Sequence, residues 1–296
     1  MSIKTVFSIK DLENLSGVKA HTIRIWEKRY NLFQPHRTDT NIRVYGNDEL
    51  QKILNIALLN KNGWKVSKIA ELDEVGIQNE IKALLVEDNS YEEAYTNFKL
   101  AMLNFDRELF DLTYAKLLVE VDFKEIFVNV FARLLKEIGI LWHSNTIKPV
   151  HEHFISSLIS QKILLNIENL KSYKKKNHKT YVLFLPVNEV HQIGLLYVHY
   201  ELLSQGNECI YLGPNVPIQN LEYLQSIHDN IEFVSYFTVE PTKENAEAYI
   251  EEMYRQVLSK RNEKFHILGR QLENYQPKKK NVLLYNDLKA FVENIS

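Results

Sequence analysis

Apolar positions in the first quarter of the chain fall at short helical spacings broken early by turn residues. Residues 5–25 predict two short helices around a tight turn: Ser8 caps the first, Gly17 makes the turn, and the second begins near Lys19. Ile23 and Trp26 take the core-facing positions of that second helix, which also carries His21, Thr22, Arg24 and Lys28. Beyond it, residues 37–45 read as a hairpin with a polar tip, where Asn41 suits the left-handed backbone of the turn. Between Gly76 and Gly139 there is neither glycine nor proline. There Tyr91, Ala94, Phe98, Ala101, Met102 and Phe105 recur at helical spacing, as do Phe123, Ile126, Phe127, Val130, Phe131, Leu134, Leu135 and Ile138. With a further helix near 150–170, residues 78–172 predict a bundle of about four antiparallel helices, which bury those stripes against one another.

After the basic stretch Lys174-Lys175-Lys176-Asn177 the pattern changes. Apolar runs of strand length (180–187, 208–213, 233–239, 265–269, 281–285) alternate with helical segments (about 191–204, 217–228, 243–260, 286–295). Strand and helix in regular alternation predict a doubly wound parallel sheet over 178–296. In such sheets ligands lie beyond the carboxyl ends of the strands. The expected fold is therefore multidomain α and α/β: a winged helix-turn-helix over 1–75, a four-helix bundle, and a Rossmann-like domain.

Composition narrows the function classes. With 296 residues, 45% hydrophobic and 25% charged, the chain is ordinary globular material, neither disordered nor collagenous. No apolar run reaches the ~20 residues of a membrane span, and the charged N-terminus does not read as a signal peptide, so a cytoplasmic location is expected. The single Cys209 excludes an intramolecular disulfide and a multi-thiolate metal centre. Charge is split: residues 1–70 hold twelve Lys and Arg against six Asp and Glu, and the remainder twenty-four against thirty-two. A basic head on an acidic body points to double-stranded DNA as a partner. A helix entering the major groove beside a basic hairpin divides the labour as recognition requires, since phosphate contacts position and base edges specify.

The run Thr22-Ile23-Arg24-Ile25-Trp26-Glu27-Lys28-Arg29-Tyr30, followed by Pro35, Arg37, Arg43 and Tyr45, resembles the MerR family of transcriptional regulators over about the first 75 residues. The resemblance implies that Lys19, His21, Thr22 and Arg24 belong to the recognition helix region, and that Arg37, Arg43 and Tyr45 hold wing and phosphate contacts. Arg29 and Tyr30 either do the same or are structural. It also implies a dimer, with a tetramer left open, on a pseudo-palindromic operator. The family's usual wing glycine is Asn41 here.

Paired cysteines, the sensor of many such regulators, are absent, so the body must hold the sensor. The loop after the first strand of the sheet reads Val187-Asn188-Glu189-Val190-His191-Gln192-Ile193-Gly194. Its histidine can ligate a metal while Glu189 fixes the tautomer, and Gly194 lets the next helix start close to a planar ligand. Taken alone, such a loop reads more readily as a surface histidine beside a helix start. It follows a bundle, however, that contains Trp142-His143 and Glu152-His153. The loop resembles the cobalamin-binding domains of methionine synthase and corrinoid proteins. The whole arrangement resembles the CarH/LitR/CarA group of cobalamin-dependent regulators, whose bundle motif is W-x9-E-H.

That resemblance implies His191 as the lower cobalt ligand and Glu189 as its partner. Trp142 caps the upper face, Glu152 and His153 line an adenosyl pocket, and His143 reaches cobalt once that group has left. The nucleotide tail of the cofactor is implied to run between a Ser/Thr element, here Ser235 and Thr238, and a Gly-Gly pair, here Gly269-Arg270. The arginine either blocks the tail or turns outward and binds its phosphate, and Tyr236 and Phe237 crowd the same strand end. The expected function is a DNA-binding repressor, not an enzyme, that senses adenosylcobalamin and light. A methyl-transfer module is disfavoured by the head, while a regulator that has lost the cofactor and uses the body for oligomerisation or a protein partner stays open.

Overall fold

The computed structural model describes residues 6–295 except 39, 85–89, 145, 171–178, 262 and 273–274, with the side chains of 78, 82–84, 143 and 295 also outside the description. The basic stretch 174–177 lies outside the described residues. The chain divides into two compact units, Met1–Ser157 and Leu158–Ser296. That division falls within the fourth bundle helix, Pro149–Glu168, rather than after it.

In the head, α1 (Ile9–Ser16) starts at a capping box, in which Ser8 and Asp11 satisfy each other's backbone N–H groups. It ends at Gly17, whose φ of 76° needs a residue without Cβ. Then come α2 (Ala20–Tyr30), the antiparallel pair β1 (His36–Arg37) and β2 (Arg43–Val44), and α3 (Asn47–Lys61). Asn41, at φ 63°, takes the expected left-handed turn position. Phe7, Leu12, Leu15, Ile23, Trp26, Tyr45, Leu50 and Ile53 make the small core. The short α4 (Val66–Ile69) and α5 (Glu74–Leu84) lead out of the head.

The bundle consists of α6 (Ser90–Asn104), α7 (Arg107–Glu120), α8 (Phe123–Ile126) running through a π-helical turn into α9 (Ala132–His143), and α10 (Pro149–Glu168). The helical apolar stripes pack as rings: Phe98 lies 4.8 Å from Phe110 and 5.1 Å from Phe131 between centroids.

The sheet has five parallel strands: β3 (Thr180–Phe184), β4 (Glu208–Gly213), β5 (Ile231–Tyr236), β6 (Phe265–Leu268) and β7 (Val282–Tyr285), in the order β4-β3-β5-β6-β7. Between them lie α11 (Ile193–Ser204), α12 (Ile218–Ile227), and α13 (Lys243–Met253) with its continuation α14 (Ser259–Arg261), and α15 (Leu288–Ile295) ends the chain. Residue alternation sends Val182, Phe184, Phe233 and Ile267 to one face of the sheet, and Tyr181, Leu183 and Val234 to the other. The third strand begins two residues earlier than its apolar run, because Glu232 pairs inside the fold with His266 at 2.8 Å. The order reverses between β3 and β5, so the crevice outside their carboxyl ends is the switch point at which such sheets receive ligands.

Candidate functional site

Helix α2 sorts its residues by period. Ile23 and Trp26 are buried, and His21, Arg24, Ile25 and Lys28 stand exposed at spacings of three and four, a single stripe. Glu13 of α1 accepts from the backbone N–H of Ala20 at 3.2 Å and pairs with Lys19 at 3.3 Å, fixing the start of this helix. Thr22 is half-buried. Arg29 is exposed, its guanidinium 5.4 Å from the ring centroid of the half-buried Tyr30.

The wing is held from within. Arg37 donates from Nη1 to the Asn41 Oδ1 (2.6 Å) and carbonyl (3.3 Å). Glu27 on α2 accepts from Arg43 Nε at 2.9 Å and from the Tyr45 hydroxyl at 3.1 Å, clamping hairpin to helix. Tyr45 is 1% exposed. This corrects the expectation of a phosphate contact from Tyr45: its hydroxyl faces a carboxylate inside the fold. Burial, reinforced by the Glu27 charge, pushes that phenol up and keeps it a donor. Glu27 and Ile25 were not singled out from sequence. The first could have been found as the acceptor that two neighbouring donors require; the second only by seeing which face of α2 the core leaves open.

Two polar links join α1 to the bundle. Lys99, 4% exposed, donates from Nζ to the Leu15 carbonyl (2.6 Å) and to Glu137 Oε1 (2.6 Å). Asn14 donates from Nδ2 to Thr146 Oγ1 at 2.8 Å, on the turn between α9 and α10. That turn separates the two halves of the bundle motif: Trp142, 46% exposed at the end of α9, and the half-buried Glu152 and exposed His153 in the first turn of α10. The side chain of His143 lies outside the described residues. His151 is buried and stacks on Phe105 at 4.8 Å.

At the carboxyl end of the sheet, Glu189 is fully buried. Its Oε1 accepts from the His191 backbone N–H (2.9 Å) and lies 2.6 Å from His191 Nδ1. Its Oε2 accepts from three successive backbone N–H groups, those of Thr238 (3.2 Å), Val239 (2.6 Å) and Glu240 (2.8 Å). Burial alone would raise this carboxyl, but the hydrogen bonds from His191, Val239 and Glu240 outweigh it and hold it at about 2. An ionised carboxylate only accepts, so Nδ1 carries a proton, which makes Nε2 the ring nitrogen a metal would use. The imidazole side chain is 41% exposed. One buried carboxylate thus locks the loops after β3 and β5 together and sets the tautomer of the histidine between them.

These residues fit a cobalt ligand. The rest of the crevice does not fit a nucleotide tail. A Cβ on Gly194 would sit 2.8 to 3.0 Å from three ring atoms of Tyr236, so the space expected for a ligand holds that ring. Ser235 is fully buried and donates its hydroxyl to the Phe184 carbonyl at 2.8 Å. Gly269, at φ 108°, is pressed against the Phe237 backbone, whose oxygen lies 2.2 Å from where a Cβ would be. Arg270 donates from Nε to the Thr238 carbonyl (3.2 Å), and Gln271 to the Thr238 and Val239 carbonyls (3.0 and 3.1 Å). The expected roles of Gly194, Ser235 and Gly269 as the walls of a tail slot are therefore corrected: each already packs against or bonds to its own chain. Among the described residues no group of three or more His, Cys, Asp or Glu side chains could hold a bare metal ion, and no helix is long and apolar enough to cross a membrane.

Residues 7–74 match the MerR HTH family regulatory protein, and residues 94–165 match the B12 binding domain. The HTH-type transcriptional repressor CarH of Myxococcus xanthus is 25% identical over 221 residues, 73% of either chain. The repressor CarA of the same organism is 25% identical over 218 residues, 72% of this chain and 70% of that one. The monomethylamine corrinoid protein of Methanosarcina barkeri shares the fold, with a TM-score of 0.58 at 15% identity, over 69% of this chain and 97% of that one. The chain thus carries a region matching the MerR HTH family at 7–74 and, behind it, a region matching the B12 binding domain at 94–165.

Proposed function

We propose that this chain is a transcriptional repressor that binds a pseudo-palindromic duplex as a dimer or larger assembly, and that its rear domains sense a corrinoid. The observation that carries the DNA half is the exposed stripe His21, Arg24, Ile25 and Lys28 beside a hairpin clamped by Glu27. The basic side chains suit base edges and phosphates, and Ile25 suits a thymine methyl. Arg29, Arg37 and Arg43 supply further charge for the backbone. The corrinoid half rests on the Glu189–His191 pair, which orients an imidazole at the switch point. Trp142, His143, Glu152 and His153 are the residues that would surround an adenosyl group, and a light-labile cobalt–carbon bond is the chemistry an adenosylated corrinoid would bring. Asn14 and Leu15 of the head are hydrogen-bonded to Thr146 and Lys99 of the bundle, and Thr146 lies on the turn between Trp142 and Glu152.

Selection of the full chain on a random duplex pool tests the first half. Enrichment of two half-sites about one helical turn apart is expected, and no enrichment overturns it. Light scattering of protein treated with an adenosylated corrinoid, adenosylcobinamide or adenosylcobalamin, in the dark and after green light tests the switch: a fall in mass is expected, and an unchanged mass in protein that holds the corrinoid rejects light as the signal.

A second reading has a specific observation behind it. Tyr236 against Gly194 and Ser235 bonded to Phe184 favour a body that keeps the fold for assembly or a protein partner without any cofactor. Protein that elutes colourless after incubation with every corrinoid offered would establish that reading over the first.

A further inference from the structure

We infer that Tyr236 is a plug built into the switch-point crevice, and that the corrinoid taken by this domain is one without a nucleotide tail, held by the imidazole of His191. The inference rests on the corrinoid reading above and specifies its ligand class.

The crevice has two parts with opposite properties. At its outer edge the His191 ring is exposed, its tautomer set by a carboxylate that three backbone N–H groups hold in place. Its Nε2 is the nitrogen that a corrinoid's cobalt would take as ligand. The inner part, between the ends of β3, β5 and β6, is filled. The Tyr236 ring lies against Gly194 and packs on the cluster formed by Leu183, Leu195 and Val198. Glycine at 194 is explained by the ring alone, since any side chain there would overlap it.

Polar groups that a ribose or phosphate would use are engaged as well. The Ser235 hydroxyl bonds to the Phe184 carbonyl, and the Thr238 carbonyl takes both Arg270 and Gln271. A tail inserted here would displace a packed aromatic ring and break satisfied hydrogen bonds, with the desolvation cost that follows. A corrinoid that ends in a short amide arm demands neither. The discrimination therefore falls on the tail, and Tyr236 is the residue that makes it.

The test incubates the full chain with aquocobinamide or with hydroxocobalamin, desalts it, and reads retained cobalt and the visible spectrum. Wild type is expected to retain cobinamide with a nitrogen-ligated spectrum and to retain cobalamin at least about tenfold less. His191→Ala should abolish the nitrogen-ligated spectrum. Tyr236→Ala should raise cobalamin retention about tenfold while leaving cobinamide unchanged, and Tyr236→Phe, which keeps the ring, should behave as wild type. Equal retention of both corrinoids by wild type overturns the plug and leaves the corrinoid reading standing. Retention of neither by wild type and by Tyr236→Ala overturns both. Wild type that retains neither while Tyr236→Ala retains cobalamin overturns the tail-less ligand. Should Tyr236→Ala fail to fold, as judged by its melting curve, the wild-type ratio and the His191→Ala spectrum decide the matter.

Discussion

The head and the carboxyl end of the sheet carry motifs of similar clarity, yet their side chains are in opposite states. In the head, His21 and Arg24, both expected to read DNA, stand exposed on α2, and the bonds that hold the site come from a residue outside the recognition stripe, Glu27. At the sheet end, Ser235, Gly194 and Gly269 have matching residue types but face their own chain. The Glu189–His191 pair, by contrast, keeps an exposed, oriented imidazole there. A motif establishes which atoms are present; availability to a partner depends on what else those atoms already touch.

The largest effect that would sharpen this contrast is expected from Gly269→Ala. A Cβ at φ 108° and 2.2 Å from the Phe237 oxygen combines backbone strain with a clash, and the cost should be about 3 kcal/mol or more. Differential scanning calorimetry should show a marked fall in Tm; a Tm within a degree or so of wild type would mean that the contact yields and that the slot is softer than described. Next come two head variants that should part company. Glu27→Ala leaves a buried tyrosine hydroxyl without its acceptor and should cost the fold about 1–3 kcal/mol. Arg24→Ala should leave Tm unchanged and weaken operator binding by about 1–3 kcal/mol in a gel-shift titration. If Arg24→Ala lowered Tm as much as Glu27→Ala, the separation between reading residues and holding residues would break down.

The smallest effect is one of pH. The Glu189 carboxyl is depressed from 4.5 to about 2 in the fold, so its stabilisation is fully present above the unfolded value and is lost as the pH falls from there through about 2. Urea midpoints of wild type and Glu189→Gln should therefore differ most at neutral pH and converge in acid. Midpoints that stay equally far apart at pH 3 would remove Glu189 as the lock between the two loops.

The alternation of strand and helix, the turn at Gly17, the cap at Ser8 and the left-handed Asn41 were all legible along the chain, because period, caps and turn chemistry are local. The motifs at 22–30 and 187–194 were legible for the same reason. Lys99 was not: among Phe98, Ala101 and Met102 it reads as a solvated lysine, and its partners Leu15 and Glu137 lie 84 and 38 residues away. The Glu232–His266 pair, 34 residues apart inside the sheet, was hidden likewise, as was the buried side of Tyr45.

What the sequence by itself determined, then, is the order of the elements, the helix-turn-helix character of the head and the presence of an imidazole on the loop after the first strand of the sheet. Tertiary structure alone decided which of those residues remain open. Parallel strands bring the ends of β3, β5 and β6 together although 84 residues separate Phe184 from Leu268, so whether Tyr236 fills the space beside Gly194 is a matter of packing between distant segments. Hydrogen-bond capacity and volume are shared across such contacts, and no local pattern records how they are divided.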